Sequence, residues 1–221
     1  RARFWKAAGA ATLVAVLAAA VGLWLVRRPR LTPAMRGRQL AERLGCFACH
    51  GPGGTGGVPN PGSETGEVPA WDGGTAMMYA KDENEVREWI LYGVPRRLAG
   101  QAPTSDRKPL LRMPAYGRIV SDSELADLVA HFVAVARMRV PDDEHALSGY
   151  RAASGAGCFG CHGPAGRVGA ENPGSFKGYI PPWEGDDFAE LVRDRDELVE
   201  WIREGSIARF RDDPVARRFL D

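Results

Sequence analysis

The sequence predicts an all-α protein: one N-terminal apolar helix, then two tandem helical domains. Three observations predict it. Apolar residues recur at helical spacing behind cap-like polar residues, and no alternating strand pattern competes. Ala7 to Val26 is twenty residues without a charge, with Thr12 the only polar one. The remaining chain repeats itself at an offset of 112 residues, and 23 of the 49 positions from Gly45 to Gly93 recur without a gap. The expected segments are 1–30 (apolar helix), 31–140 (first domain) and 141–221 (second domain). The Pro-acidic stretch Pro141-Asp142-Asp143 marks the border between the domains.

The apolar helix comes first. At ~1.5 Å per residue, twenty residues span about 30 Å, the thickness of a bilayer core. Trp5 and Trp24 stand near its ends, where interfacial indoles are expected. Arg1, Arg3 and Lys6 precede it, and Arg27, Arg28 and Arg30 follow, so the basic residues do not orient it. A cleaved signal peptide with Ala18-Ala19-Ala20 near the cleavage site is the competing reading. The apolar core is longer than a usual signal segment, so an uncleaved anchor is expected.

Within each repeat, helices are joined by Gly/Pro loops. Pro33 to Leu44 forms a helix with proline at its start. Asp82-Glu83-Asn84-Glu85 opens a second, with Val86, Trp89 and Ile90 on one face. Asp194 to Glu197 opens its counterpart, with Leu198, Trp201 and Ile202. Ser121 to Glu124 caps a helix running to Ala136, apolar at Leu125, Leu128, Val129, Phe132 and Val133. Gly51 to Gly74 is a long loop.

Cys46-Phe47-Ala48-Cys49-His50 and Cys158-Phe159-Gly160-Cys161-His162 carry the chemistry. C-x-x-C-H is the attachment signature of c-type haem. Two thiols bond the two vinyl groups of the porphyrin, and the adjacent histidine turns its imidazole to the iron. The motif uses all four cysteines. Two disulfides or a four-cysteine zinc site are the alternatives; zinc needs no histidine after each pair. Two haems c are expected, with His50 and His162 as axial ligands. Haem attachment takes place on the non-cytoplasmic side, so both motifs are expected on the outer, periplasmic face of an inner membrane.

The sixth ligand separates the repeats. Met113, in a loop between the middle and last helices, is the candidate for the first haem, because His/Met ligation raises the reduction potential. Met35, Met77, Met78 and Met138 are the rivals. After His162 there is no further Met or His, and the offset carries Met113 to position 225. The second domain is therefore expected to be incomplete here, its C-terminal part missing; an open haem is the alternative. Lys177 is a weak candidate.

Other candidates surround the haems. Each proximal imidazole needs an acceptor for its Nδ1–H, and the carbonyls of Pro61 and Pro173 are the expected ones. Trp71 and Trp183 are expected at the haem edge or in the core.

On these residues, each repeat resembles the class I c-type cytochromes, small helical domains with C-x-x-C-H near the N-terminus and a later Met ligand. The resemblance covers Ala34 to Ala136 fully and Leu147 to Asp221 in part. It implies electron transfer through an exposed haem edge, with Cys46, Cys49, His50, Met113, Cys158, Cys161 and His162 in the family's roles. Tandem anchored forms are similar to subunits of respiratory and other membrane complexes. A single-electron relay is therefore expected, not an enzyme in itself. Its partners would be a cytochrome b, an oxidase or a molybdenum enzyme on the membrane side, or a soluble carrier. A dihaem peroxidase-like enzyme and a free-standing anchored shuttle are the alternatives. Residues 141–221 hold ten bases and sixteen acids, a face that a basic carrier would meet. Nothing in the sequence points to nucleic acid, a nucleotide loop or a hydrolytic triad.

Overall fold

A computed structural model of the chain describes residues 2–72, 74–100 and 108–219, with the backbone alone for 2–8. Arg1 and the side chains of Arg3, Trp5 and Lys6 lie outside that description. The described residues are mostly helical: α1 (Ala2–Arg27), α2 (Pro33–Arg43), α3 (Phe47–His50), α4 (Ala76–Tyr79), α5 (Glu83–Tyr92), α6 (Asp122–Val135), α7 (Glu144–Gly155), α8 (Cys158–His162), α9 (Asp186–Leu191), α10 (Arg195–Glu204) and α11 (Ala208–Arg211). The expectation of helices alone is incomplete. An isolated bridge joins Pro59 to Glu67, and the matching positions of the repeat start and end two-residue strands, Ala170–Glu171 and Tyr179–Ile180.

The chain packs as two compact units, one of 31–170 with 180–189, the other of 1–30, 171–179 and 190–221. Both C-x-x-C-H motifs fall in the first.

In that unit, the Thr32 hydroxyl accepts from the Met35 N–H at 3.3 Å, and Pro33 occupies a first-turn position where no N–H is needed. A reciprocal Ser121–Glu124 capping box starts α6. Helices α2 and α6 cross at Gly37, where a Cβ would lie 1.9 Å from the Asp127 carbonyl oxygen. Arg36 forks onto the Asp127 carboxylate beside the crossing, both contacts 2.8 Å. The core is Leu40, Ala41, Trp71, Leu128 and Val135, with Leu44, Phe47, Ile90 and Phe132 against it. A neighbouring cluster holds Ala80, Val86, Leu125, Val129 and Val133. Each large apolar side chain so buried contributes about 1.5–3 kcal/mol. Val168, just beyond the second motif, packs with Ala34 of α2 and Ala134 of α6. The Thr32 hydroxyl also reaches the Arg167 carbonyl at 3.4 Å.

In the other unit, Gly9–Arg27 is long and apolar enough to cross a membrane, and none of it is buried. Asp194 caps α10 through the Glu197 N–H at 2.9 Å. Arg209 forks onto Glu197, as Arg97 forks onto Glu85 in the first repeat. The Trp201 indole N–H donates to the Leu191 carbonyl at 3.1 Å, and that of Trp89 to Tyr79 at 3.0 Å. The repeat is therefore structural as well as sequential.

Candidate functional site

Each C-x-x-C-H motif is one short turn of helix. Cysteines three apart on a helix share a face, and the histidine four beyond the first cysteine sits beside them. The four thiols are unpaired, so no disulfide competes for them. The chain then doubles back. The Val58 N–H donates to the Cys49 carbonyl at 3.0 Å, and the Gly169 N–H to the His162 carbonyl at 2.8 Å.

The acceptor for each imidazole is not the expected one. His50 Nδ1 donates to the Pro69 carbonyl and His162 Nδ1 to the Pro181 carbonyl, both at 2.8 Å. Pro61 and Pro173 are thus corrected as candidates. The reason is the loop's path. A turn closed by Asn60 N–H to the Gly66 carbonyl, 2.7 Å, carries Pro61 to the tip and returns Pro69 toward His50. Pro173 occupies the matching turn, closed by Asn172 N–H to the Gly178 carbonyl at 2.9 Å. Pro69 and Pro181 are identical in the repeat, two residues before each tryptophan, but so are Pro61 and Pro173, and identity alone does not choose between the pairs.

Those tryptophans bed the histidines. The Trp71 ring lies 5.1 Å from the His50 ring, and the Trp183 ring 5.3 Å from His162. Phe47 and Phe159 flank them at 5.6 and 5.3 Å. Each tryptophan's backbone N–H donates at 2.7 Å to the carbonyl of a glycine, Gly54 or Gly166. Glycine is required there: a Cβ would lie 2.4 Å from the Trp71 ring at Gly54, and 2.7 Å from the Trp183 ring at Gly166. With Nδ1 committed to a carbonyl, Nε2 is the lone-pair nitrogen of each imidazole, the tautomer an iron ligand requires.

Met113 lies half-buried in an irregular loop. Sequence reasoning missed what holds that loop. The Asn60 side chain pairs with both backbone groups of Leu111, at 2.8 and 3.1 Å, and the Pro61 carbonyl accepts from the Leu110 N–H at 3.1 Å. Downstream, Tyr116 and Gly117 donate to the carbonyls of Ile90 and Leu91. Between these anchors the loop crosses Gly93, which is left-handed at φ +73° and whose Cβ would lie 2.4 Å from the Met113 carbonyl oxygen. Burial, and secondarily the Cys46 and Cys49 thiols, push the Tyr116 hydroxyl up, so the loop reaches the first motif. Of the rivals, Met77 and Met78 are 45% and 70% exposed, and Met138 packs in the core. Lys177 is ion-paired to Glu190 at 2.7 Å.

Burial sets the electrostatics. It pushes the Cys46 thiol up and holds the His50 imidazole below its ordinary value, against the opposing pull of the Pro69 carbonyl. His131, on α6, is 2% exposed, and neither ring nitrogen has a hydrogen-bond partner among the described residues. It packs edge-on to Phe47 and Trp71 at 5.9 and 5.8 Å. Burial, and secondarily Arg38, lowers its pKa to about 4.

Residues 34–135 match the family model for cytochrome c. They are a cytochrome c domain. Such a domain implies covalently bound haem c and haem-based electron transfer, and the first motif fits: two unpaired thiols on one helical turn beside a neutral, carbonyl-anchored imidazole. Among the described residues, no three His, Cys, Asp or Glu side chains are grouped to hold a bare metal ion; haem would bring four nitrogen ligands of its own. No curated protein and no solved structure matches the chain.

Proposed function

We propose that the protein is a membrane-anchored dihaem cytochrome c that relays single electrons. In this reading it is a subunit of a larger redox complex, between a membrane donor and an acceptor on the outer, periplasmic side. One observation carries the reading: the whole proximal apparatus of the cytochrome c domain recurs at the second motif. The proline carbonyl, the tryptophan bed, the flanking phenylalanine and the glycine under the indole are all repeated. Both motifs belong to one compact unit, and Val168 of the second packs on α2 and α6 of the first.

Bound haem supplies an iron that accepts and releases one electron. The chain supplies the rest. Cys46, Cys49, Cys158 and Cys161 would hold the porphyrins through their thiols. His50 and His162 present Nε2, and the carbonyls of Pro69 and Pro181 orient those rings. Met113, on the loop that crosses Gly93, would supply a thioether to the first haem. The helix Gly9–Arg27 supports the anchor by its length and its exposed apolar surface.

Haem counting on the purified full chain tests the reading. Two haems per chain are expected, and one in Cys158→Ala/Cys161→Ala. One haem in the native chain would reduce the protein to a single cytochrome domain. A high-spin second haem that turns over peroxide would replace the relay with an enzyme. Purification in mild detergent tests the complex: a cytochrome b, oxidase or molybdenum subunit in fixed ratio is expected. Recovery alone would make the protein a free anchored shuttle.

A further inference from the structure

The compact unit that contains α1 also contains the 171–179 loop and the segment through Phe219. Their contacts meet at the helix's C-terminal end. Arg27 donates to the Phe176 carbonyl at 3.1 Å. Its guanidinium stands 5.6 Å from the Phe176 ring centroid and 5.9 Å from that of Phe219, and the two rings meet edge to face at 5.2 Å. One turn back, Arg28 lies over Trp24 at 5.5 Å. Arg30 is ion-paired to Glu190 at 2.7 Å. Arginine between aromatic rings gains cation–π attraction that ammonium groups gain less readily.

This clasp brings a particular surface to the end of the apolar helix. Trp24 is 59% exposed and Val215 65%. Arg217 and Arg218, next to the clasped Phe219, are exposed on a short 3-10 turn and make no ion pair among the described residues. Indoles and apolar side chains flanked by arginine suit the headgroup level of a bilayer, where the ring enters the interface and the cation meets phosphate. The flank that leaves the basic count tied is thus partly engaged: Arg27 by rings, Arg30 by a carboxylate.

We propose that segment 215–219, clasped to α1 by Arg27, is a foot that rests on anionic phospholipid. Trp24 and Val215 enter the interface, and Arg28, Arg217 and Arg218 meet phosphates. The partner is the lipid surface itself. The inference rests on the anchored reading of α1.

Hydrogen exchange on the full-length holoprotein tests it, in nanodiscs of phosphatidylcholine with and without phosphatidylglycerol. In anionic discs the amides of 215–219 are expected to exchange roughly thirtyfold more slowly, the effect of two arginines at an anionic surface. The amides of α10 serve as the internal reference. Arg217→Glu/Arg218→Glu removes the lipid dependence, and Arg217→Lys/Arg218→Lys keeps it. Equal exchange in both lipids overturns the foot while co-elution with the discs leaves the anchor standing. Failure to co-elute with any disc overturns both.

Discussion

Trp71 is 9% exposed and Trp183 37%, although both stand at the same place in the repeat, on the same glycine contact and against the same histidine. What differs is the cover. Phe132 and His131 of α6 close over Trp71 at 5.5 and 5.8 Å, and the Met113 loop crosses Gly93. Among the described residues no helix and no loop plays those parts at Trp183, where the further ring is Tyr150, against Phe159 at 5.1 Å. The proximal half of such a site is thus built locally, within the 25 residues that follow the first cysteine. The distal half depends on residues far along the chain. The recurring stretch Gly45 to Gly93 carries the proximal half, and the residues of α6 that close over Trp71 lie beyond it.

The largest effect expected from that difference is at the tryptophans. Trp71→Ala removes a ring packed on all sides and should cost about 3–5 kcal/mol. Trp183→Ala should cost roughly half as much, because the ring already meets solvent over a third of its surface. Urea denaturation of the holoprotein at matched slope reads both. Equal losses would mean that the second site is covered as well as the first.

Next is the pH dependence that His131 gives the first site. Its folded pKa, about 4, lies below the ordinary 6.5. The unfolded chain therefore binds the extra proton first as pH falls. Stability is fully present above about 6.5, and falls by about 3 kcal/mol as pH drops to 4. His131→Phe should flatten that stretch of the profile. A slope that survives in His131→Phe would place the titrating group elsewhere.

The third comparison pairs two helix ends. Gly93 and Gly205 both cap their helices in the left-handed region, at φ +73° and +67°. Alanine costs about 1 kcal/mol at either by conformation alone. At Gly93 the new Cβ also meets the Met113 carbonyl, whereas at Gly205 it meets nothing within 4 Å. With Met113 as the proposed sixth ligand, Gly93→Ala should therefore weaken a sulfur–iron absorption as well as stability. Gly205→Ala should lower stability only. An unchanged first haem in Gly93→Ala would remove the loop's dependence on this crossing.

These pairs also show where the sequence was legible. The caps at Asp82, Ser121 and Asp194 are local signals, and the helices begin where they indicate. C-x-x-C-H is local too. The Pro69 and Pro181 carbonyls were misplaced to Pro61 and Pro173 because a loop's return path depends on backbone hydrogen bonds that leave no pattern in residue type. The Asn60 clamp was missed for a related reason: it joins segments 51 residues apart. Glycines under the indoles were visible as repeated letters, but only the close approach of ring to backbone explains them.

The smallest effect is where the two repeats should agree. Glu85 is held at about 2 by its fork to Arg97 and the Lys81 N–H; Glu197 is held at about 2 by Arg209 and the Arg193 N–H. In both cases the folded carboxyl titrates below the ordinary value. The stabilisation is present above about 4.5 and is lost as pH falls through about 2. The glutamate side chains are largely covered, at 13% and 18% exposed, but their arginine partners open to solvent at 33% and 27%, and screening there keeps each contribution slight. Glu85→Gln and Glu197→Gln should therefore lower stability at neutral pH by equal, small amounts, and neither should matter at pH 2. Salt should shrink both differences together. A clear inequality would show that the fork, though copied in geometry, works against a different background in each repeat. The agreement of the two proximal sites would then need the same test, one hydrogen bond at a time.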